Sequence, residues 1–262
     1  MLRLMRILLH FWKAGLMQAM EYRAGFLIGM FANTCDFTFG LIQYVLFFSA
    51  AKSIAGWETS QMLTLYAIFM TMFSLHFIFL YPNLEAMSRL VNRGELDLAL
   101  LKPASAQVIL SFRHLSFDEF GSFLASQALL LSLLVSGSIS PSWHGLAGFG
   151  VAVVCGLSFI YASFLILMSL TIIFEKMHNT ADLLWSLFSL TRYPVDVYPR
   201  WMRSLFLAVI PIGFISSVPA SMLTRGSDWP VLLTGVGLSI VFLVLARRAW
   251  VAALRGYCSA GG

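Results

Sequence analysis

The chain has 262 residues, of which 59% are hydrophobic and only 11% are charged, and its net charge is +5. Soluble domains use about 25% charged residues to cover their surface with polar groups, so a chain this apolar is expected in a membrane. The composition therefore excludes a soluble enzyme, a nucleic-acid-binding module and a disordered protein.

The first predicted element is an amphipathic helix over residues 2–20. Its basic side chains are spaced by three, four and three residues, which places them on one face: Arg3, Arg6, His10 and Lys13. Leucine and aromatic side chains occupy the opposite face. We expect this helix to rest in the cytoplasmic interface of the membrane, with its cations toward anionic lipid headgroups. The alternative is a cytosolic lead-in to the first span.

Six apolar runs follow, and each is read as a membrane-spanning helix, which needs about 20 apolar residues. The predicted spans are 25–50, 61–80, 115–138, 146–174, 179–193 and 230–249, of which the fifth is short. The runs are continuous rather than alternating, which favours helices over a β-barrel. The predicted fold is an all-α polytopic membrane protein with six transmembrane helices, in which residues 1–262 form a single transmembrane domain.

The longest polar stretch is a predicted cytoplasmic loop over residues 81–114, between the second and third spans. Pro82 suits the start of a helix, and Gly94 suits its end. The helix between them would present three charged side chains outward: Glu85, Arg89 and Arg93.

An acidic and apolar patch, ELDLALLKP, follows this helix and ends at Pro103. Three leucines of the patch are expected to be exposed: Leu96, Leu98 and Leu100. Exposed leucines favour docking of the loop into the groove of a partner protein. The alternative is a loop that packs on its own helices.

An apolar segment over residues 194–223 precedes the last span and carries four prolines: Pro194, Pro199, Pro211 and Pro219. Prolines at this spacing break a regular helix. They predict a non-helical entry, a short amphipathic helix from Pro199 to Ala208 and a turn at Pro211, and the apolar stretch over residues 204–223 is read as a re-entrant or interfacial hairpin. Such irregular backbone is tolerated at membrane depth only where protein buries it. Trp201 and Arg203 would anchor the hairpin at the outer interface.

The distribution of basic residues predicts an orientation. If the N-terminus is cytoplasmic, 12 of the 17 Lys and Arg residues fall on the cytoplasmic side and 5 on the outer side. Short loops rich in Lys and Arg stay in the cytoplasm, so both termini are predicted to be cytoplasmic.

Two stripes of polar residues run along predicted spans. The stripe in the first span is spaced by three, four and three residues: Asn33, Asp36, Gly40 and Gln43. The stripe in the fifth span is spaced by four, three and four residues: Asp182, Ser186, Ser189 and Tyr193. A carboxylate near the middle of a bilayer costs at least about 2.5–3.5 kcal/mol, so these faces should meet protein or water. They either line a pathway or form hydrogen bonds between helices.

Few residues offer catalytic chemistry. The chain has no Gly-x4-Gly-Lys-Ser/Thr loop, and its histidines and three cysteines lack metal-ligand spacing, so we expect neither a cofactor nor a metal in this chain. His114 and Asp118 form an H-x3-D pattern that some acyltransferases share. This two-residue match leaves an integral-membrane enzyme, such as a lipid acyltransferase, as an alternative function. A non-transporting membrane scaffold is a further alternative.

The sequence resembles the permease subunit of a type-2 ABC exporter, in the branch of short six-span subunits. Three segments carry the resemblance, and their order and spacing cover nearly the whole chain. They are RGELDLALLKPAS after the second span, RYPVDVYPRWMRSLFLAVIPIGFISSVPASML before the last span, and the terminal RRAWVAALRGYCSAGG.

The resemblance implies a pathway formed by two permease subunits in a bacterial inner membrane, where this chain pairs with itself or with a related permease. The first and fifth spans would meet near the dimer axis, and the 194–223 hairpin would close the pathway. Separate ATPase subunits, which bind ATP and Mg, would dock on the cytoplasmic loops. The 92–103 region would include the coupling element, with these candidate residues: Arg93, Glu95, Asp97, Leu98 and Lys102.

Overall fold

The computed structural model of the protein describes residues 2–50, 53–92, 94, 96, 106–174, 186–226 and 228–256. Regular structure in these ranges is helical, apart from one isolated bridge between Ile54 and Trp57. The α-helices that lie wholly within them are α1 Leu2–Glu21, α2 Arg23–Ala50, α3 Thr59–Phe79, α4 Tyr81–Asn92, α5 Ala106–Phe112, α6 Phe120–Val135, α7 Trp143–Ile173, α8 Arg200–Ser204, α9 Ser217–Thr224 and α10 Trp229–Gly256.

Four helical stretches among the described residues are long and apolar enough to cross a membrane: Arg23–Phe47, Thr59–Val91, Trp143–Ile173 and Trp229–Gly256. They correspond to the predicted first, second, fourth and sixth spans, which agrees with the predicted all-α membrane fold. The predicted third span is α6, an apolar helix of 16 residues. The first part of the predicted fifth span, residues 179–185, lies outside the described residues, and Leu190–Arg192 near its end is a 3-10 turn. The count of six spans therefore stays a prediction.

Helix α6 begins at Phe120, five residues after the predicted start of the third span. The backbone ahead of it is tied to the junction between α3 and α4. The His114 N–H donates to Asn83 Oδ1 at 2.8 Å, and the Ser116 N–H donates to the Ile78 carbonyl at 3.1 Å. These bonds hold residues 114–116 in a non-helical connection, so the helix starts later in the chain than predicted.

Helix α3 is the centre of the bundle, because every residue from Thr64 to Met70 is buried. It packs against α2, α4, α6 and α9. A polar contact joins it to α6, where Thr71 Oγ1 accepts a hydrogen bond from Gln127 Nε2 at 2.7 Å and lies 3.0 Å from Ser126 Oγ. Lipid tails give no hydrophobic drive for helix association, so such bonds between spans help to hold the bundle together.

Helix α1 packs on the bundle through one face. Trp12 Nε1 donates to the Phe112 carbonyl at 2.7 Å, and the Arg113 guanidinium lies 5.0 Å from the centre of the Phe11 ring. Two other faces are exposed: an apolar one with Met5 and Leu9, and a cationic one with Arg6, His10 and Lys13. The predicted helix is confirmed, and its faces fit the expected interfacial position, which stays a prediction.

Candidate functional site

The predicted coupling residues lie outside the described residues: Arg93, Glu95, Asp97, Leu98 and Lys102. The helix that precedes them is described and ends at Asn92, and Gly94 two residues later has a φ of +66°, a left-handed conformation that glycine adopts without strain. Pro82 stands in the first turn of the same helix, α4. The predicted start and end of this helix are therefore confirmed.

Two charged residues of α4, Glu85 and Arg89, face outward as predicted, whereas Leu96 after the helix is not exposed as predicted. Glu85 and Arg89 are exposed and form an ion pair of 3.9 Å one turn apart. Leu96, predicted to be exposed, is completely buried in the main core cluster. Packing on its own chain removes the Leu96 side chain from water whether or not a partner protein is bound, and this burial is favourable. Leu98 and Leu100 lie outside the described residues.

Asn83 connects α4 to the segment that precedes α6. Its Nδ2 donates to the Phe79 carbonyl at 2.7 Å and to the His114 carbonyl at 2.8 Å, and its Oδ1 accepts from the His114 N–H. The Asn83 side chain is 1% exposed, so these bonds satisfy a fully buried amide. Asn83 therefore ties α4 directly to the backbone before α6. We call these contacts the Asn83 clamp.

The polar stripe of α2 faces away from the core of its own chain. Asp36 and Gln43 are exposed, and Asn33 is half-buried. Gly40, which completes the spacing, is buried against the hydroxyl of Tyr66 and is part of the packing rather than of a polar face. The exposed part of the stripe is therefore available to water, lipid or another subunit.

The other polar stripe is described only in part. Ser186 is exposed and Ser189 is half-buried, with Ser189 Oγ donating to the Ser186 carbonyl at 2.8 Å, while Asp182 lies outside the described residues. The segment meets α2 through aromatic residues. The Tyr44 hydroxyl donates to the Arg192 carbonyl, and the Tyr44 and Tyr193 rings stack with their centres 6.1 Å apart.

Asp36 has acidic neighbours that sequence reasoning did not place beside it. Asp118 and Glu119 precede α6, and a Cβ atom added to Gly29 of α2 would lie 3.1 Å from Asp118 Cγ. The negative charges of Asp118 and Asp36 both act on the Glu119 carboxyl, so the three acidic groups are neighbours. The start of α6 thus places ionisable groups beside the polar stripe of α2.

The segment over residues 190–224 is built from short turns, as its prolines predict. Pro194 and Pro199 precede the 3-10 turn Val195–Val197 and helix α8, and Pro211 precedes the 3-10 turn Ile212–Phe214. Pro219 differs from the prediction, because it stands in the first turn of α9, where the missing N–H costs no helical hydrogen bond. Trp201 is 68% exposed, which fits an interfacial anchor.

Serine side chains close this segment on itself. Ser216 Oγ donates to the Thr191 carbonyl at 2.5 Å, and Ser217 Oγ accepts from the Val195 N–H at 3.1 Å. Every residue from Pro211 to Ala220 is buried. The irregular backbone from Pro211 to Ser216 is therefore covered by protein, which is the condition for such backbone at membrane depth.

Asp196 is the centre of a charged cluster that sequence reasoning missed. Its carboxylate accepts from Trp57 Nε1 at 2.8 Å, pairs with Arg203 at 3.0 Å and lies 3.9 Å from Arg225. Arg225 also donates to the Gly56 carbonyl at 2.6 Å, and its guanidinium lies 4.0 Å from the centre of the Trp57 ring. The cluster, which we call the Asp196 latch, fastens the loop between α2 and α3 to both ends of the 195–225 segment.

A family model described as ABC-2 family transporter protein matches residues 36–261 of the chain. The chain belongs to this family. It is thus an ABC-2 permease, a membrane component of an ABC transporter, and ABC-2 permeases in general work with an ABC ATPase. No curated protein and no solved structure matches the chain. The match leaves out α1 and the first half of α2.

The residue pair that suggested an enzyme belongs to the framework of the permease. His114 is held through its backbone by the Asn83 clamp, and both His114 and Asp118 line a cavity of about 730 Å³ beneath α1. Burial, together with the positive charges of Arg113 and Arg89, lowers the pKa of the His114 imidazole. Family membership offers no support for acyl transfer by this pair.

Phe214 is a second residue that sequence reasoning missed. A phenylalanine within an apolar run does not indicate which residues it will contact. Its backbone carbonyl oxygen lies against Gly156 of α7, and its ring lies against Gly235 of α10, so that a Cβ atom at either glycine would overlap Phe214. The side chain is 1% exposed. Phe214 thus joins the 190–224 segment of the permease to the paired helices α7 and α10, and we call this contact the Phe214 wedge.

Replacing Asp196 with alanine is expected to destabilise the permease by about 1–3 kcal/mol. The Trp57 indole N–H is buried and loses its acceptor, which costs most of this amount, while the half-exposed Arg203 recovers water. D196N keeps an acceptor for Trp57 and should lose less. The measurement is thermal unfolding in a mild detergent.

Asp228 provides the matched control for the latch. It lines the same cavity as Asp196, and its carboxylate accepts a 3.5 Å bond from the Val231 N–H as the N-cap of α10. D228N removes the charge but keeps a capping acceptor, so it should unfold within about 0.5 kcal/mol of the unmodified chain. Equal stability of D196A and D228N would show that the latch contributes nothing.

Proposed function

We propose that the chain is the permease subunit of an ATP-driven exporter, forming the translocation pathway as a dimer with itself or with a related permease. The observation that carries the proposal is the family match over residues 36–261, together with the four apolar helices of membrane-spanning length. Separate ATPase subunits would bind ATP and Mg and dock on the cytoplasmic side. We place the protein in a bacterial inner membrane with both termini cytoplasmic, as its basic residues predict.

The Asn83 clamp supports coupling through the loop after α4. A force applied to the 92–103 region by an ATPase would reach α4, and the amide of Asn83 is bonded to both Phe79 at the end of α3 and His114 ahead of α6. One buried side chain thus joins the proposed coupling element to two membrane helices. Closure of the ATPase dimer would move these helices together.

The exposed stripe on α2 supports a pathway at a subunit interface. Asp36 and Gln43 point away from the core of their own chain, and a carboxylate at this depth requires water or protein around it. A second permease against α2 would supply that environment. The pathway would then be lined by Asn33, Asp36 and Gln43 from α2 and by Asp182, Ser186 and Ser189 from the fifth span.

At the outer end, the 194–223 segment is proposed to be the re-entrant hairpin that closes the pathway. Its buried stretch from Pro211 to Ala220, its prolines and the Asp196 latch support this role, since a closure element must hold one shape while the helices around it move. The residues given this role are Pro194, Pro199, Trp201, Pro211 and Pro219.

The proposal is tested by co-expression with an ABC ATPase encoded beside the permease gene. We expect the two proteins to purify as a complex, and E95A and D97A to lower its ATP hydrolysis several-fold by weakening the docking contact. E85Q, on the outward face of α4, is the control for loss of an acidic charge on the same side. Failure of any ATPase to co-purify would contradict the permease role, and unchanged hydrolysis in E95A and D97A would refute the coupling assignment alone.

A further inference from the structure

The last helix carries a cluster of arginines that the transport proposal does not use. Arg247, Arg248 and Arg255 line one shallow groove of about 570 Å³ together with Val251 and Ala252. The three arginines are all exposed. At 100° per residue the five positions span an arc of about 140° around the axis of α10. We call this arc the arginine face.

The opposite side of the same helix turns is anchored in the protein core. Trp250 is 1% exposed, Ala246 is completely buried and Ala253 is 1% exposed. Since these residues fix the rotation of α10, the arginine face is held outward and the guanidinium groups are fixed on one side of the helix.

No acidic residue neutralises the arginine face within the part of the chain that the structure describes. The ion pairs of the described residues involve Arg89, Arg203 and Arg225, and their acids are Glu85 and Asp196. Lining the groove are three cations, one valine and one alanine. A groove with this much positive charge and small apolar side chains is complementary to an anion attached to an apolar body.

One of the three guanidinium groups is held in place by neighbouring side chains. Arg247 Nη1 donates to Gln107 Oε1, and Gln107 Nε2 donates in turn to the Tyr161 hydroxyl at 3.0 Å. The Tyr161 ring stacks on Phe112 with centres 5.7 Å apart. This chain of contacts connects α10, α5 and α7 and orients Arg247 at the edge of the groove.

The position of the cluster along α10 places it at the level of lipid headgroups. The helix begins at Trp229, and residues 229–246 extend about 27 Å at 1.5 Å per residue, which is close to the thickness of the hydrocarbon core. Arg247 and Arg248 therefore stand where the core ends. Arg255 follows two turns later, at or beyond the headgroup layer.

We propose that the arginine face binds the phosphate of an anionic phospholipid, with Arg248 and Arg255 as its main ligands and Arg247 as the oriented edge of the site. Guanidinium groups bind phosphate oxygens through paired hydrogen bonds, which suits a headgroup better than lysine would. Val251 and Ala252 leave room for the glycerol backbone, and the acyl chains follow the apolar surface of α10. The site depends on α10 spanning a bilayer and not on ATPase docking.

The test uses the full chain, purified in a neutral detergent and stripped of lipid, in titrations with phosphatidylglycerol or phosphatidylcholine followed by native mass spectrometry. We expect phosphatidylglycerol to bind more tightly than phosphatidylcholine. Each arginine near the membrane surface contributes about 1 kcal/mol, so R248Q/R255Q should weaken phosphatidylglycerol binding by about 30-fold. This variant leaves the bond between Arg247 and Gln107 intact, and its thermal unfolding without lipid should be unchanged.

The control R89Q/R200Q removes two arginine charges elsewhere and should keep the affinity of the unmodified chain. Equal losses in both double variants would overturn the site, because a general charge effect would explain them. Inorganic phosphate that binds with the same dependence on Arg248 and Arg255 would show a free-anion site instead of a lipid site. Unchanged phosphatidylglycerol affinity in R248Q/R255Q, with weaker binding of an ATPase, would assign the arginine face to a protein partner and also overturn the proposal.

Discussion

Replacing Gly156 with alanine is expected to destabilise the permease by about 1–3 kcal/mol, and replacement with valine should cost more. The new Cβ atom would overlap the backbone carbonyl oxygen of Phe214 and lie 3.4 Å from the Cα atom of Ile215. Backbone atoms in a buried segment cannot rotate away, so α7 and the 190–224 segment must separate. Unfolding in mixed detergent measures the loss.

Gly235 on α10 provides a related but different test of the Phe214 wedge. Alanine at this position would overlap the ring of Phe214 rather than its backbone. The double variant G235A/F214A should therefore cost less than the sum of its single changes, because the clash disappears with the ring. G156A should show no such rescue by F214A, since the carbonyl remains.

Gly150 and Gly237 are matched controls on the same two helices, because a Cβ atom at either position meets nothing within 4 Å. Alanine favours a helix over glycine by up to about 1 kcal/mol, so G150A and G237A should be neutral or stabilising. If G156A were as stable as G150A, the close contact between α7 and Phe214 would not exist in the folded protein.

Replacing Asn83 with alanine is expected to destabilise the permease by about 2–4 kcal/mol. The change removes three hydrogen bonds and leaves the part-buried N–H and carbonyl of His114 without their amide partner, at up to about 1–3 kcal/mol for each group, part of which water from the adjoining cavity recovers. Differential scanning fluorimetry and chemical unfolding measure the effect. In a complex with an ATPase, N83A should also lower the stimulation of hydrolysis by the permease.

Aspartate at the same position makes a sharper test than alanine. N83D keeps an acceptor for the His114 N–H, but its carboxylate then faces the carbonyl oxygens of Phe79 and His114. At neutral pH it should be no more stable than N83A, despite its similar shape. E85Q, which changes an exposed side chain on the same helix, should stay within about 0.5 kcal/mol of the unmodified chain. N83D with unchanged stability would contradict the clamp.

The spanning helices could be predicted because their signal is local. Long apolar runs identify α2, α3, α7 and α10, and the prolines before the last span identify breaks at 194, 199 and 211. Gly94 likewise predicted the end of α4. Each of these features depends on residues within one or two helical turns, where side-chain type and backbone geometry are tightly connected.

The contacts of the site could not be predicted because their partners are far apart in sequence. Trp57 and Asp196 are 139 residues apart, and Asn83 and His114 are 31 residues apart. Neither pair has a spacing or composition that marks it. In a chain with so many apolar residues, the apolar character of a side chain does not show whether it is buried in the protein. Leu96 was therefore predicted to be exposed although it is buried, and the contacts of Phe214 were not predicted.

The joint between α1 and α2 determines how far a small motion in the membrane can be carried. Tyr22 alone separates the two helices, and α1 is 20 residues long, or about 30 Å. If α2 tilts by about 10° and α1 follows as a rigid arm, the far end of α1 sweeps about 5 Å across the membrane surface. A rigid α1 would therefore magnify movements of the first span unless the contacts of Trp12 and Phe11 with the bundle hold it in place, and a fluorescent label at the exposed Met5 would distinguish the two outcomes.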